Sequence, residues 1–410
     1  MSEFLTLLSP SEALAKLYAH LNVQPVSEMI STTDALGRVT AADVSAPHPL
    51  PTFPRSTVDG YAVRSADTHG ASDHLPAYLR VLGEVAMGQA AELILSPATC
   101  AIIHTGGMLP ENADAVVMVE HTQTTRDGEV EVFRAVGGGE NVLNVGEDVR
   151  TGEIVIPRGT LLRPAEIGGL MALGLVRVHV TRKPRVGILS SGDEVIPPDQ
   201  PLAPGQVRDI NSHALHALIR QAGGEPVAYG IIPDNPVAFS RAAERAHAEC
   251  DLIMFTAGSS VSARDLTAQT IAQLGAPGVL VHGVNVRPGK PTILAVCDGK
   301  PVIGLPGNPV SALVIADIFV GSVIRVFLGQ TTPRPRPTVP ARLMLNLSSV
   351  AGREDWVGVR LLPTPNGYAA DPIFGKSNLI FTLAKADGLI CIPADANGLE
   401  VGSMVDVVLI

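Results

Sequence analysis

The sequence predicts a multidomain protein of the class α/β plus β, built around a central doubly wound α/β domain. Strands and helices alternate through residues 184–329, which predicts a parallel sheet covered by helices on both faces. Residues 47–139 show short alternating strands between Gly, Pro and Asp turns, which predicts a β-rich domain. The proline-rich residues 331–340 are typical of a linker, and the short-strand pattern after them predicts a small β barrel or sandwich.

The N-terminal residues predict a helix from Ser9 to about Leu21. Ser9-Pro10-Ser11-Glu12 combines a capping serine, a proline in the first turn and a glutamate three residues after the cap. A short second helix over residues 33–36 should end at Gly37. Residues 146–180 predict a strand pair and a helix over 165–173. Because these pieces are small, we expect them to pack on the N-terminal helices as one discontinuous domain.

The central region divides into predicted elements at regular spacing. The expected strands are residues 186–189, 227–232, 252–255 and 301–303, and the expected helices are residues 210–222, 236–249, 266–274 and a long one after Pro309. In a doubly wound sheet, ligands bind beyond the carboxyl ends of the strands. The loops after these strands are therefore the candidate site.

Charge and hydropathy exclude two broad classes of protein. The formal net charge is −10, so a broad basic surface for nucleic acid is not expected. The apolar residues 310–329 contain Asp317 and Arg325, which favours a buried helix over a membrane span.

Cysteine usage and the N-terminal residues indicate the compartment. The four cysteines are far apart and form no CxxC pair, which favours free thiols in a reducing compartment. No charged-then-apolar signal pattern begins the sequence. We therefore expect a cytoplasmic protein.

Residues 304–311 predict a strand end, a rigid loop and a helix start. Asn308 is a good N-cap and Pro309 suits the first helical position. The N–H groups of that first turn are expected to face an anion, and Gly307 is one of the small residues of this loop. Just upstream, Arg287 and Lys290 add two cations. The alternative is that a helix after a strand simply needs a cap.

Three other strand ends carry small or acidic residues. They are Ser191, Gly192 and Glu194 after the first strand, Asp234 after the second, and Gly258, Ser259, Ser260, Ser262 and Asp265 after the third. Small residues let backbone amides approach a phosphate. Because the carboxylates would repel a bare anion, we expect Glu194, Asp234 and Asp265 to hold a divalent cation such as Mg²⁺. Helix capping is the alternative role for each carboxylate.

Two motifs of the β-rich region resemble ordinary turns. They are Asp59-Gly60 in 59–63, which reads DGYAV, and Thr105-Gly106-Gly107. Composition alone does not bring them to the edge of the sheet.

Together these motifs resemble the molybdopterin molybdenumtransferases, the MoeA proteins that are equivalent to the gephyrin E domain. The resemblance rests on DGYAV, PGKP at 288–291, GLPGNPVS at 304–311 and ADGLI at 386–390, supported by shorter motifs in the same order. The match covers nearly the whole chain.

The resemblance implies a fold and an activity. It implies a MogA-like α/β domain over 183–330, a β-rich domain over 47–141, a discontinuous elongated dimerisation domain over 1–46 and 142–182, and a C-terminal β barrel over 331–410. Members insert molybdate into adenylylated molybdopterin with release of AMP, and they need Mg²⁺ or a similar ion. They are homodimers whose cleft lies between the α/β domain of one subunit and the β-rich domain of the other.

The resemblance also implies roles for individual residues. Asp59, Thr105, Glu194, Asp234 and Asp265 would be the functional polar residues, and Arg287 and Lys290 would neutralise phosphate or molybdate. The residues that would shape the oxyanion pocket are Pro306, Pro309 and Ser311. A molybdopterin adenylyltransferase and molybdoenzyme apoproteins or chaperones are the implied partners, without nucleic acid or membrane.

The sequence departs from the family pattern at two places. The family's GGxSVG loop falls on residues 257–262, where Ala257 and Ser262 replace glycines. Leu143, Asn144 and Val145 stand where arginines are frequent. Two hypotheses therefore stay open: a molybdate-inserting enzyme, and a paralogue that binds or scaffolds molybdopterin without turnover.

Overall fold

The computed structural model of the chain describes residues 7–125, 128–256, 261–330 and 335–410, and the side chains of residues 261–265 lie outside the description. The N-terminal residues form α1 (Pro10–Tyr18), β1 (Ser27–Ser31), a 3-10 turn (Thr32–Asp34) and β2 (Val44–Ser45). The predicted capping box of α1 is confirmed, because Ser9 and Glu12 exchange both of its hydrogen bonds. The helix ends three residues earlier than predicted.

Helix α1 packs against the central sheet. Ala13 and Leu17 are fully buried in the core that the α/β region builds. Lys16 Nζ donates to the Leu280 carbonyl at 2.9 Å. The start of the chain is thus attached to the region that carries the candidate site.

The β-rich region forms one mixed six-stranded sheet in the order β7-β4-β6-β5-β9-β8. The strands of the sheet are β4 (Gly60–Val63), β5 (Ala77–Glu84), β6 (Thr99–Ile103), β7 (Ala115–Met118), β8 (Thr122–Thr124) and β9 (Glu129–Val132). The region also contains β3 (Arg55–Ser56), which lies outside this sheet. Two 3-10 turns, Ser65–Thr68 and Val119–His121, connect strands of this sheet.

Residues 142–182 form β10 (Val142–Leu143), β11 (Ile154–Ile156), α2 (Pro164–Ala172) and β12 (Arg177–Thr181). The last strand pairs antiparallel with β1, and β11 pairs with β2. These pairings join two distant parts of the sequence around a small apolar core. The limits that we gave for the four domains remain predictions.

The central region carries a six-stranded sheet in the order β16-β13-β17-β21-β20-β18. The region contains β13 (Arg185–Ser191), β14 (Val195–Ile196), β15 (Val207–Arg208), α3 (Asn211–Gln221), β16 (Glu225–Ile232), α4 (Pro236–Glu249), β17 (Leu252–Thr256), α5 (Val261–Gln273), β18 (Pro277–His282), β19 (Val286–Arg287), β20 (Ile293–Cys297), β21 (Lys300–Leu305), α6 (Pro309–Ile315) and α7 (Gly321–Phe327). Strands β14 and β15 form a separate short pair, and β19 pairs with the barrel. One core lies on each face of the sheet.

The expected parallel sheet is confirmed for four strands and was wrong at one edge of the sheet. The strands β16, β13, β17 and β21 are parallel, but β20 runs antiparallel to both β21 and β18. A short turn at Asp298-Gly299 joins β20 to β21, and such a tight connection produces only an antiparallel pair. Neither β18 nor β20 was predicted from the sequence.

The helix after Pro309 is continuous as far as Phe327, with a π-helical turn at Ala316–Val320 between α6 and α7. Within the described part of the chain, it is the one helix long and apolar enough to cross a membrane. Phe319, Val320 and Ile324 are fully buried in the core beside the sheet. A core helix explains its composition, as the sequence predicted.

The C-terminal residues close into a barrel in the strand order β24-β25-β22-β28-β26, because β26 also pairs with β24. Its elements, including a short pair β23–β27 beside it, are β22 (Thr338–Leu343), β23 (Leu347–Ser348), β24 (Glu354–Thr364), β25 (Gly367–Pro372), α8 (Ile380–Ala384), β26 (Gly388–Ile392), β27 (Gly398–Leu399) and β28 (Met404–Leu409). Strand β19 pairs with β24 and links the barrel to the α/β region.

Candidate active site between the central sheet and the barrel

The parallel strands end together at one edge of the central sheet. Ser190 lies beside Thr256, and Thr256 lies beside Leu305. The loops that follow these residues contain most of the predicted site residues. The α/β topology therefore places the candidate loops at one edge, as expected for this class of fold.

Carboxylates gather after β13 and β16. The Asp193 carboxylate accepts a hydrogen bond from the Asp234 N–H at 3.1 Å. Burial raises the pKa of Asp234, and the negative charges of Asp193 and Glu194 raise it further. Because repulsion between carboxylates is relieved by a cation, this arrangement fits a divalent metal ion.

The capping alternative fails for these carboxylates. Helix α4 is capped by Asn235, whose side chain accepts from the Val237 and Ala238 N–H groups, and not by Asp234. Glu194 precedes the short strand β14. Asp265 lies inside α5, because that helix begins at Val261, five residues before the predicted start.

The loop after β17 is only partly described. Gly258, Ser259 and Ser260 lie outside the described residues, as do the side chains of Ser262 and Asp265. Among the described residues, no three His, Cys, Asp or Glu side chains form a ready-made metal site. Of the predicted metal ligands, Glu194 and Asp234 are the two whose side chains are described, and the Glu194 charge raises the pKa of Asp234.

Gly192 has a structural requirement in this cluster. Its φ is +142°, and a Cβ there would lie 2.7 Å from Glu194 Oε2. A side chain at this position would displace the Glu194 carboxylate.

The loop before α6 differs from the anion cradle that the sequence predicted. Asn308 occupies the N-cap position, but its side chain does not cap the helix. Instead, Asn308 Nδ2 donates to Ser377 Oγ at 2.9 Å, and the Val310 N–H donates to the Ser377 carbonyl at 3.0 Å. The Val310 N–H is therefore not free to bind an anion.

Asn211 fixes the other side of this loop. Its Nδ2 donates to the Gly307 carbonyl at 2.8 Å and to Thr256 Oγ1 at 2.9 Å. Sequence reasoning missed this residue, although the run Asp209-Ile210-Asn211 at a helix start was an available signal. The loop is thereby held against the strand end.

A cavity of about 770 Å³ opens between this loop and the barrel. The α/β region contributes Arg287, Lys290, Pro306, Gly307, Asn308 and Ser311, which the sequence analysis had selected. Pro309 is buried at the first position of α6 and is not part of the lining. The barrel contributes Arg353, Lys376 and Ser377, which were missed because no local pattern marks them.

The charged lining of the cavity is mainly positive. Arg287, Lys290, Arg353 and Lys376 face one carboxylate, Asp355. That carboxylate is occupied by Arg353, at 2.6 and 2.9 Å, and by Arg287, at 3.6 Å. The two lysines have no carboxylate among the lining residues other than Asp355. The cavity is therefore suited to an anion.

Asp59 and Thr105 form a separate cluster in the β-rich sheet. The Asp59 carboxylate accepts from the Thr105 N–H at 2.8 Å and from Thr105 Oγ1 at 3.2 Å. The Thr105 backbone contributes most to lowering the pKa of Asp59. Among the described residues, the hydrogen bonds and ion pairs of Asp59 stay within this region.

The glycine of the DGYAV motif is required by the sheet. A Cβ on Gly60 would lie 1.9 Å from the Val117 carbonyl oxygen of the neighbouring strand. The motif is therefore more than the turn that its composition indicated, because Gly60 lets two backbones approach next to Asp59.

Family models match the chain in three consecutive parts. They are the MoeA N-terminal region (domain I and II) over residues 8–174, the probable molybdopterin binding domain over 187–326, and the MoeA C-terminal region (domain IV) over 340–410. The chain belongs to the MoeA family. The resemblance drawn from the short motifs is confirmed over nearly the full length.

Individual MoeA relatives support the same membership. A putative molybdopterin biosynthesis protein of Methanocaldococcus jannaschii is 35% identical, with 96% of this chain and 95% of that protein covered. The molybdopterin molybdenumtransferase of Bacillus subtilis is 33% identical, with 98% and 94% covered. The crystal structure of a molybdopterin biosynthesis MoeA protein from Pyrococcus horikoshii superimposes with a TM-score of 0.86 at 30% identity, covering 99% of this chain and 100% of that one.

Proposed function

We propose that this MoeA protein is a molybdopterin molybdenumtransferase that inserts molybdate into adenylylated molybdopterin and releases AMP. The observation that carries the proposal is the positive cavity between the PGKP and LPGNP loops and the barrel, at about 770 Å³. Both substrates are anions, and fixed cations and amide donors stabilise charge as it develops in the transition state. The names of the relatives support the same activity.

A divalent cation, which we propose to be Mg²⁺, would be held by Asp234 and Glu194, with Asp265 as the third ligand proposed from its place in the motif. When bound, it supplies charge neutralisation at the anhydride oxygens. The raised pKa of Asp234 supports this role, because carboxylates that repel each other gain most from a shared cation. A hydrogen bond from Ser191 partly opposes this rise in the pKa of Asp234.

The chain's own residues bind and orient the anions. Lys290 and Lys376 would bind oxyanion oxygens from opposite walls of the cavity. Asn308 and Ser377 hold the two walls together through their side chains. The relative position of the lysines thus depends on this hydrogen bond together with the Val310–Ser377 backbone bond and the pairing of β19 with β24.

We further propose that the protein is a homodimer with Asp59 completing the cleft of the other subunit. Large apolar side chains are exposed on the first 46 residues and on residues 142–182, namely Val26, Met29, Leu36, Val145, Ile154 and Val176. Exposed apolar side chains on these segments are available to a protein interface. Asp59 is far in sequence from the loops at the edge of the central sheet, and its described hydrogen bonds and ion pairs stay within the β-rich region. This separation also supports a cleft that a second subunit completes.

The reaction determines the proposed partners. A molybdopterin adenylyltransferase would supply the adenylylated substrate, and molybdoenzyme apoproteins or their chaperones would receive the product. We place these steps in the cytoplasm.

Purified protein with adenylylated molybdopterin, molybdate and Mg²⁺ should release AMP. Asp234→Asn should reduce the rate by on the order of a hundredfold or more, because the cation loses a ligand. Asp406→Asn, on the exposed face of β28, is the matched control and should keep the full rate. The proposal fails if wild-type protein that binds both anions releases no AMP, and the binding paralogue is then the correct assignment.

Molybdate affinity tests the cavity separately. By calorimetry, Lys290→Met should weaken binding by about 10- to 100-fold, the usual loss for a hydrogen bond to a charged group. Lys385→Met removes an exposed lysine at the end of α8, outside the cavity, and should leave the affinity unchanged. Equal effects of the two substitutions would contradict the location of the site.

A further inference from the structure

His104 lies between two carboxylates in the β-rich region. Its Nε2 is 2.8 Å from Glu84 Oε1, and its Nδ1 is 3.8 Å from Asp59 Oδ1. Among the described residues, these are the charged groups that face the ring, one from β5 and one from the turn before β4. Neither His104 nor Glu84 was selected from the sequence.

A bulge in β5 produces this arrangement. Val81 pairs with Cys100, but Glu84 and not Gly83 pairs with Ile102, so one extra residue is inserted in β5. The bulge places Glu84 opposite Ile102. Because Ile102 lies two positions before His104, all three side chains are on the same face of the sheet. Without the extra residue, Gly83 would stand there in place of Glu84.

The other end of the cluster is equally constrained. Thr105 donates two hydrogen bonds to Asp59. The backbone of Ser56 pairs with the glycines that follow Thr105, through Gly106 N–H to Ser56 O at 2.8 Å and Ser56 N–H to Gly107 O at 3.0 Å. His104 is therefore presented to Asp59 by a loop that is fixed on both sides.

The glutamate determines which ring nitrogen carries the proton. An ionised carboxylate only accepts hydrogen bonds, so Nε2 of His104 must donate to Glu84. In the neutral ring, Nδ1 then presents a lone pair to Asp59, and the aspartate is held by Thr105 alone. In the imidazolium, Nδ1–H faces Asp59 and the three side chains form a closed bridge.

We propose that His104 is a positioning residue for Asp59, and that protonation at Nδ1 closes a Glu84–His104–Asp59 bridge that fixes the Asp59 carboxylate for the reaction. This inference rests on the proposed function. The side chains of His104, Asp59 and Glu84 are 43%, 64% and 56% exposed, so the bridge contributes little to folding. Its consequence is the orientation and charge of Asp59, whose pKa is lowered by Thr105 and further by His104.

The first experiment does not depend on activity. In protein labelled with ¹⁵N-histidine and ¹³C-aspartate, NMR titration should show the neutral His104 ring as the Nε2–H tautomer. The Asp59 carboxyl signal should change at the same pH as the His104 ring. Glu84→Gln should reduce the tautomer preference. An Nδ1–H tautomer, or an Asp59 signal insensitive to His104 titration, overturns the inference.

The second experiment measures AMP release against pH. The bridge requires a proton on both ring nitrogens of His104, so wild-type kcat should fall on the alkaline side, where the Nδ1 proton is lost. His104→Gln should abolish that alkaline limb and lower kcat at lower pH by on the order of tenfold, with KM little changed. His121→Gln, which alters a histidine that contacts Arg134 in the same region, should keep the wild-type profile.

The outcomes separate the two proposals. An alkaline limb that persists in His104→Gln overturns the positioning role. Absence of AMP release from wild-type protein overturns the proposed function, and the NMR titration then decides the inference about His104.

Discussion

Asp355 shows how a single buried charge organises the wall of the cavity. Its side chain is 4% exposed and accepts two hydrogen bonds from Arg353, with a longer ion pair to Arg287. A buried carboxylate without its partner carries a large desolvation cost. The pair therefore fixes β24 of the barrel beside the loop that carries Lys290.

Arg353→Met should lower the free energy of unfolding of the barrel by about 3 kcal/mol, because Asp355 loses its bidentate partner while remaining buried. Trp356 is the one tryptophan of the chain and lies next to Asp355, so its fluorescence during urea unfolding measures this transition. Arg245→Met is the matched control, because its pair with Glu249 is exposed, and no measurable change is expected. Similar shifts in both variants would contradict this account.

The roles of single residues were predictable where the partner is close in sequence. The capping box of Ser9 and Glu12 spans three residues, and the structure confirms it. The cap expected of Asn308 was wrong, because its partner Ser377 lies 69 residues away. Local chemistry indicates that Asn308 is a good cap, but a distant acceptor competes for its side chain.

Two helices of the central region begin with the same Asn-Pro pair and use it differently. Asn235 accepts from the Val237 and Ala238 N–H groups at the start of α4. Asn308, at the start of α6, donates to the barrel. The same dipeptide therefore stabilises a helix in one place and an interface in the other.

Asn235→Ala should cost α4 about 1 kcal/mol, since two N–H groups lose their acceptor. Hydrogen exchange by mass spectrometry should show about fivefold faster exchange in the first turn of α4. Asn308→Ala should leave exchange in the first turn of α6 nearly unchanged, because its side chain accepts no hydrogen bond from that helix. Faster exchange confined to α6 would contradict this reading.

At the scale of the molecule, the predicted site is divided among separate regions. The carboxylates after β13 and β16 belong to the α/β region, the cavity is shared with the barrel, and Asp59 belongs to the β-rich sheet. We proposed that a second subunit brings Asp59 to the cleft. Mixed dimers test this directly.

Heterodimers of an Asp59→Asn subunit and a Lys290→Met subunit should regain about half of the wild-type AMP release. In a shared cleft, one site combines both substitutions and the other contains neither, so one of the two sites is intact. Differently tagged subunits can be coexpressed and isolated by tandem affinity, and sedimentation should confirm the dimer mass. Each variant homodimer serves as the low-activity control, at a molybdate concentration too low to offset the weaker binding of Lys290→Met. A heterodimer as inactive as the controls would place Asp59 and Lys290 in the same subunit's site.

The sequence by itself determined several elements of the central region and the residue types of the loops that follow them. Strand, loop and helix signals for 236–249 and 252–255 are local, and the structure confirms them within a residue. The same local signals placed Glu194 and Asp234 after strands, where a parallel sheet brings them together. The family motifs are also contiguous, so they too could be read without coordinates.

Only the tertiary structure decided which distant segments meet. The antiparallel direction of β20, the packing of α1 on the central sheet and the barrel wall with Arg353 and Lys376 depend on contacts far apart in sequence. The pairing of Glu84 with His104 depends on a bulge that shifts β5 by one residue. The physical reason is that side-chain periodicity specifies which face of an element is buried, whereas the partner on that face is selected by the packing of the whole chain.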